Sequence, residues 1–187
     1  MDEPDYLTFI RSLYGDLSQD VLYIVPREYR THSELFIDSS QIDITREPVL
    51  IVHYGEVDDY LRVHDEITIK INSDVTSIST FEQVCKQIHK IARQDLFMHN
   101  IDLADLRQFA QSCNEFHGFD SESEAREFSK NNPVKSLLIF PVSEYGQDEY
   151  VGIIERFESY NENCEYLSTT PMLEPGVEVR TISILGM

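Results

Sequence analysis

Residues 48–71 read PVLIVHYGEVDDYLRVHDEITIKI, and the fold turns on how they are taken. Val49, Leu50, Ile51 and Val52 form an unbroken apolar run, the pattern of a central strand. Val63, Ile67, Ile69 and Ile71 alternate with His64, Glu66, Thr68 and Lys70, the period of two of a strand with one wet face. Asp65 interrupts the dry face near its start. Between the two runs, Gly55, Glu56, Val57, Asp58 and Asp59 have the composition of a turn. Together these features predict a β-hairpin over 48–71.

Towards the N-terminus, Leu7, Ile10, Leu13, Tyr14 and Leu17 recur at three- and four-residue steps and predict an amphipathic helix. Val21 to Val25 is a short strand stopped by Pro26. Leu35 to Ile37 and Ile42 to Ile44 are strand candidates around a turn at Asp38, Ser39 and Ser40.

The middle of the chain is helical in pattern. Phe81, Val84, Cys85, Ile88, Ile91 and Ala92 form one stripe of a helix over 80–96, with capping chemistry from Ser79 or Thr80 and Glu82 or Gln83. A second helix starts near Asp102, carries Leu103, Leu106, Phe109, Ala110 and Cys113, and ends by Gly118. Ser121 and Glu124 predict a short third helix, stopped by Asn131, Asn132 and Pro133.

The last third reads as strands: Val134 to Val142, whose Pro141 implies an edge or an end, then Tyr150 to Phe157, Glu165 to Thr169 and Val177 to Leu185. Strands clustered at both ends around central helices predict one α+β domain over 1–187, with a mostly antiparallel sheet built from the N- and C-terminal strand clusters and packed against the central helices.

Charge narrows the function. The chain has 187 residues, 34 Asp and Glu against 15 Lys and Arg, and a net charge of −19. Residues 1–80 carry −10, residues 81–113 are neutral and residues 114–187 carry −9. Such a surface repels phosphate, so direct nucleic-acid binding and docking on an anionic membrane are not expected. It attracts basic protein surfaces.

No apolar run approaches the roughly 20 residues that cross a bilayer, and the acidic opening Met1 to Asp5 does not resemble a secretory leader. Cys85, Cys113 and Cys164 are far apart, with no CxxC or zinc spacing, and read as reduced thiols in a cytoplasmic protein.

The densest functional groups are His53, Glu56, Asp58, Asp59, His64, Asp65 and Glu66. Imidazoles and carboxylates are metal ligands and acid–base groups, so a hairpin here would allow a small metal-dependent enzyme. No GxSxG, GxxxxGK[ST] or HExxH occurs, and Glu66 stands four residues before Lys70 where a PD-(D/E)xK strand needs two.

The reading that charge favours is a non-catalytic acidic binding protein without a cofactor: an inhibitor, immunity protein, adaptor or nucleic-acid mimic. It would engage a basic protein partner through Glu56, Asp58, Asp59, Asp65 and Glu66, then Glu144, Asp148 and Glu149. A structural subunit of an assembly is the third alternative. Lys86, Lys90 and Arg93 line one face of the 80–96 helix, and docking of that stripe on an acidic patch of a second copy would give a homodimer.

Overall fold

The apolar run at 49–52 does form a strand, but every neighbour it has is parallel to it. The computed structural model describes residues 20–43, 45, 47–56, 62–93, 101–143, 147–173, 176 and 179–187. Its strands are β1 (Val21–Ile24), β2 (Phe36–Ile37), β3 (Leu50–Tyr54), β4 (Thr68–Ile71), β5 (Phe116–Phe119), β6 (Ser136–Ser143), β7 (Tyr166–Thr169), β8 (Met172–Leu173) and β9 (Arg180–Gly186). They form one sheet in the order β2-β1-β3-β4-β5-β9-β6-β7, with β8 continuing the β7 side of β6. Among the described residues, only the pairs made by β9, with β5 and with β6, are antiparallel. Four α-helices lie among the described residues, α1 (Ile78–Arg93), α2 (Leu103–Ser112), α3 (Glu122–Asn131) and α4 (Gln147–Tyr160), beside three short 3-10 helices at Arg27–His32, Ser39–Gln41 and Asp65–Ile67.

This is a layered α/β arrangement, and it corrects the expected α+β domain with a mostly antiparallel sheet. The reason lies in what covers each strand. Leu50, Val52 and Tyr54 belong to the core beneath α1 and α2, whereas Ile51, between them, packs with Ile24 and Ile67 on the other side. Along β6, Leu138, Phe140 and Val142 face α1 and α2, while Leu137 and Ile139 join Ala125, Ile153 and Phe157 of α3 and α4. Side chains alternate across a strand, so these are two opposite faces, both dry. Strands covered on both faces read as continuous apolar runs, which is what parallel sheets require.

The predicted hairpin fails for a related reason. β3 and β4 are neighbours in register, with Ile51 opposite Thr68 and His53 opposite Lys70, but they run the same way. Residues 55–67 join them, and a parallel connection needs about a dozen residues where a hairpin needs two. The strand is also shorter than the alternation suggested: Asp65–Ile67 is a 3-10 turn, and Val63, assigned to the dry face, is 79% exposed.

Other boundaries shift too. Tyr150 to Phe157 is helix, part of α4, and buries Ile153 and Phe157, four residues apart, while Val151 is exposed. Gly118 does not end α2 but sits within β5. Ile42 is irregular backbone after a 3-10 turn capped by Asp38, not the start of a strand. Pro141 is not on an edge. It pairs with Thr181 of β9 and, on its other side, lies where β7 has stopped and β8 has not begun. The helix expected over 7–17 lies outside the described residues.

The helices hold up better. α1 buries Phe81, Val84, Cys85, Ile88, Ile91 and Ala92, the stripe read from spacing. Its cap is Ser77, whose Oγ accepts from the Thr80 N–H at 3.1 Å, rather than Ser79 or Thr80. α2 begins after Asp102, which accepts from the Ala104 and Asp105 N–H groups, while Asp105 reaches back to the Asp102 N–H. That reciprocal cap satisfies donors the helix cannot satisfy itself.

Candidate functional site at the carboxyl ends of the parallel strands

One pairing decides where a cleft opens. β4 meets β5 at a single position, Ile71 opposite Phe116, so β5 starts where β4 stops. The offset leaves a cleft of about 490 Å³ beyond the end of β4. Gly55 and Glu56 border it from the end of β3, Asn72, Ser73 and Asp74 from the end of β4, and Glu115 from the entry to β5. In open parallel sheets, loops at the carboxyl ends of the strands are where ligands collect, because helix entry leaves a crevice there.

The loops lining this cleft are tightly fixed. Gly55 has φ +86°, a conformation that side chains rarely adopt, and a methyl there would lie 3.3 Å from Ser73 Oγ and 3.9 Å from Pro26 of the β1 loop. Its N–H donates to the Ile71 carbonyl at 2.9 Å. The buried Tyr54 hydroxyl donates to the Thr76 carbonyl at 2.8 Å, and burial pushes its pKa up. Thr76 Oγ1 accepts from the Gly118 N–H at 2.7 Å, tying the β4 loop to β5. Asn72 Oδ1 accepts from the Asp74 N–H at 2.7 Å, and Asn72 Nδ2 donates to Glu115 Oε1.

Electrostatically the cleft is acidic but not uniform. Glu56, Asp74 and Glu115 surround it, and Lys70 brings one cation from the strand floor, in contact with Asp65. Behind Glu115 stands His117, 2% exposed, with Nε2 3.9 Å from Glu115 Oε2 and its ring packed on Phe128 at 4.6 Å. Neither ring nitrogen has a hydrogen-bond partner among the described residues. Burial pulls the pKa of His117 down, and the neighbouring Glu115 only partly opposes that, so the imidazole is held neutral. A second cleft, of about 380 Å³, adjoins the first at Lys70 and Asn114 and runs past Asp65, Glu66 and the C-terminal end of α2.

The residues singled out from sequence scatter. Glu56 borders the first cleft. Asp65 and Glu66 are exposed in the 3-10 turn, Asp65 against Lys70. Asp58, Asp59 and Glu144 lie outside the described residues. Asp148 and Glu149 belong to the first turn of α4 rather than to a turn between strands. His53 is buried on β3 beside Lys70, and His64 precedes the 3-10 turn. Among the described residues no group of three or more His, Cys, Asp or Glu is placed to hold a metal ion. Sequence reasoning passed over Asn72, Ser73, Thr76, Glu115 and His117. For the first three the signal was the stretch Asn72 to Ser77 between a strand and a helix, which marks a carboxyl-end loop once the sheet is known to be parallel; Glu115 and His117 had none.

No protein-family profile matches the chain, and no curated protein matches it. Among solved structures it is similar to FtsZ and CetZ proteins. An FtsZ mutant from M. jannaschii shares 12% identity over 74% of this chain and 56% of that one, with a TM-score of 0.41. An empty FtsZ dimer from M. jannaschii shares 12% over 73% and 53%, with a TM-score of 0.42. CetZ from Methanosaeta thermophila shares 11% over 97% and 64%, with a TM-score of 0.43. The chain thus spans between half and two thirds of these proteins' lengths. Likenesses of this size carry no residue role and no activity from those proteins to this one.

The reading as a non-catalytic acidic binding protein, an inhibitor or nucleic-acid mimic that presents a patch of turn acids, is corrected, because the described acids assigned to it do not form such a patch. The structure supplies a physical reason. Of the acids assigned to one patch, Asp65 is already in contact with Lys70, and Glu56 turns to a cleft rather than to a flat face. Of the second group, Asp148 and Glu149 lie in the first turn of α4, which follows β6 in the chain. Among the described residues, no helix is long and apolar enough to cross a membrane.

Proposed function

We propose that the chain is a single α/β domain that binds a small polar molecule in the cleft at the carboxyl ends of β3 and β4. The observation that supports this most is the convergence of the β1, β3 and β4 loops on Gly55, whose positive φ disfavours any side chain and where a methyl would crowd Ser73 Oγ at 3.3 Å. Backbone shaped that tightly beside an open cleft of about 490 Å³, within the usual range for ligand pockets, is economical only if something occupies the cleft. The occupant is neutral or cationic, because Glu56, Asp74 and Glu115 outweigh Lys70. A nucleoside triphosphate is disfavoured: the chain lacks a glycine-rich phosphate loop and the cleft would repel phosphate.

The test is a thermal-shift screen of nucleosides, sugars, amino acids and polyamines against the purified chain, followed by titration of each hit into Glu115→Gln and Ser73→Ala. Support is a ligand whose affinity falls at least about tenfold in one variant, as loss of a charged hydrogen bond predicts. A screen with no hit, or a hit bound equally by both variants, overturns the proposal. We also place the chain in a reducing, cytoplasmic compartment, on the strength of its three free cysteines. Self-association as a homodimer is a separate proposal, decided by sedimentation at several concentrations.

A further inference from the structure

The sheet ends in two edge strands, β2 and β7, and the two are finished differently. β2 is two residues long and runs straight into Asp38, whose carboxylate caps the turn that follows. Very short edge strands and edge charges are what keep a sheet from adding a further strand. β7 is longer and bare of charge: no Asp, Glu, Lys or Arg occurs from Tyr166 to Leu173. β8 continues the same edge beyond Pro171.

The bonds of β7 to β6 fix which way its backbone points. The Tyr166 N–H donates to the Lys135 carbonyl at 3.1 Å, and the Thr170 N–H to the Ile139 carbonyl at 3.2 Å. Along a strand, successive residues turn their backbone groups to opposite sides. Tyr166, Ser168 and Thr170 therefore face β6, while Leu167 and Thr169 each turn an N–H and a C=O away from it. No described strand pairs with that side of β7. All four residues of β7 are half-buried rather than sealed.

The outward groups are complementary to themselves. A second copy laid antiparallel, with Ser168 opposite Ser168, brings Leu167 of each copy opposite Thr169 of the other. Each of those two pairs exchanges two hydrogen bonds, so every outward group of both strands is used. Charge favours the same pairing. A chain of net charge −19 repels its own copies, and like charges directly opposite across a strand pair are destabilising. In this register the stretch Tyr166 to Thr170 meets only itself, and it holds no charge. The basic stripe of α1 is a poorer surface, because Lys86 is already paired with Glu82 at 2.9 Å. We propose that β7 is the homodimer surface: two copies join their sheets edge to edge, antiparallel, across a twofold axis at Ser168. The inference rests on the self-association proposed above and names its surface.

Amide hydrogen exchange of the full chain over a range of concentrations, run beside sedimentation, tests it. As the dimer forms, the Leu167 and Thr169 amides should gain about tenfold or more in protection, while the Ser168 amide, which faces β6, changes little. Ser168→Cys should cross-link the dimer under diamide, since opposed residues of a non-hydrogen-bonded antiparallel pair have Cα atoms about 4.5 Å apart, within disulfide reach. The unaltered chain, with its free Cys85, Cys113 and Cys164, should not cross-link. Thr169→Pro removes an outward donor from each copy and leaves the bonds to β6 in place, so it should weaken dimerisation about tenfold or more with an unchanged circular dichroism spectrum. If that variant unfolds, exchange and cross-linking still decide. A dimer with neither the protection nor the Ser168→Cys cross-link, or equal cross-linking of the unaltered chain, overturns this surface and leaves self-association standing. A monomer at every concentration overturns both. Protection of the two amides in a monomer by an added alternating threonine–valine pentapeptide would assign the edge to a foreign strand and also overturn the proposal.

Discussion

Replacing Ile88 by Ala puts the helical stripe and the parallel sheet to one test. Ile88 is fully buried at the middle of α1, in the core that α1 and α2 share with β1, β3, β5, β6 and β9. The change removes three carbons, worth about 2.4 kcal/mol at about 0.8 kcal/mol each. If the sheet does not relax, a cavity of roughly 60 Å³ adds about 1.4 kcal/mol at about 24 cal/mol per Å³. The total is about 4 kcal/mol, and relaxation would bring it nearer 2 kcal/mol. With a urea slope of about 3 kcal/mol per molar for a chain of this length, the midpoint should fall by about 1 M. The control is Lys86→Ala. Lys86 is exposed, and its Nζ lies 2.9 Å from Glu82 Oε1 one turn earlier, a pair worth at most about 0.5 kcal/mol. Lys90 is a poorer control than the spacing suggests, because it is half-buried and its Nζ lies 3.5 Å from the buried Gln87. Equal midpoints for Ile88→Ala and Lys86→Ala, at equal slope, would refute the claim that this face of α1 closes the sheet.

Two further outcomes follow from the carboxyl-end cleft. His117 has a folded pKa below its unfolded value of about 6.5, so its contribution is complete above that pH and is lost as pH falls through it. Thermal stability should therefore decline as pH falls below about 6.5, and His117→Phe should flatten that decline; an unchanged slope in the variant would mean that other groups set it. Gly55→Ala should cost about 1–2 kcal/mol for its positive φ, plus the crowding of Ser73, and more than Gly176→Ala, whose φ is +73° with open space around it. Equal losses in urea titration would show that the close approach at Ser73 adds nothing.

What sequence could and could not tell divides along one physical line. Patterns that depend on a residue's own element were legible: the stripe of α1, the start of α2 near Asp102, the stop of α3 at Asn131 and the strand at Val21. What failed was direction, because nothing in a single strand says which way its neighbour runs. The strongest clue was the unbroken apolar run at 49–52. A hairpin with one wet face would alternate, whereas a strand covered by helices on one side and by Ile24 and Ile67 on the other does not need to. Taken at face value, that run already opposed the hairpin assigned to it, and the connection over 55–67 was long enough for a crossover. The error then spread to the site. A hairpin would have gathered the acids of 56–66 at its tip. A parallel pair instead sends the carboxyl end of β3 beside that of β4, so the residues that meet are Gly55, Ser73 and Asp74 with Glu115, which are distant in sequence and ordinary in composition. Three of the four are plain polar or acidic residues, and only Gly55, through its positive φ, betrays from its own geometry that the backbone there is under an unusual demand.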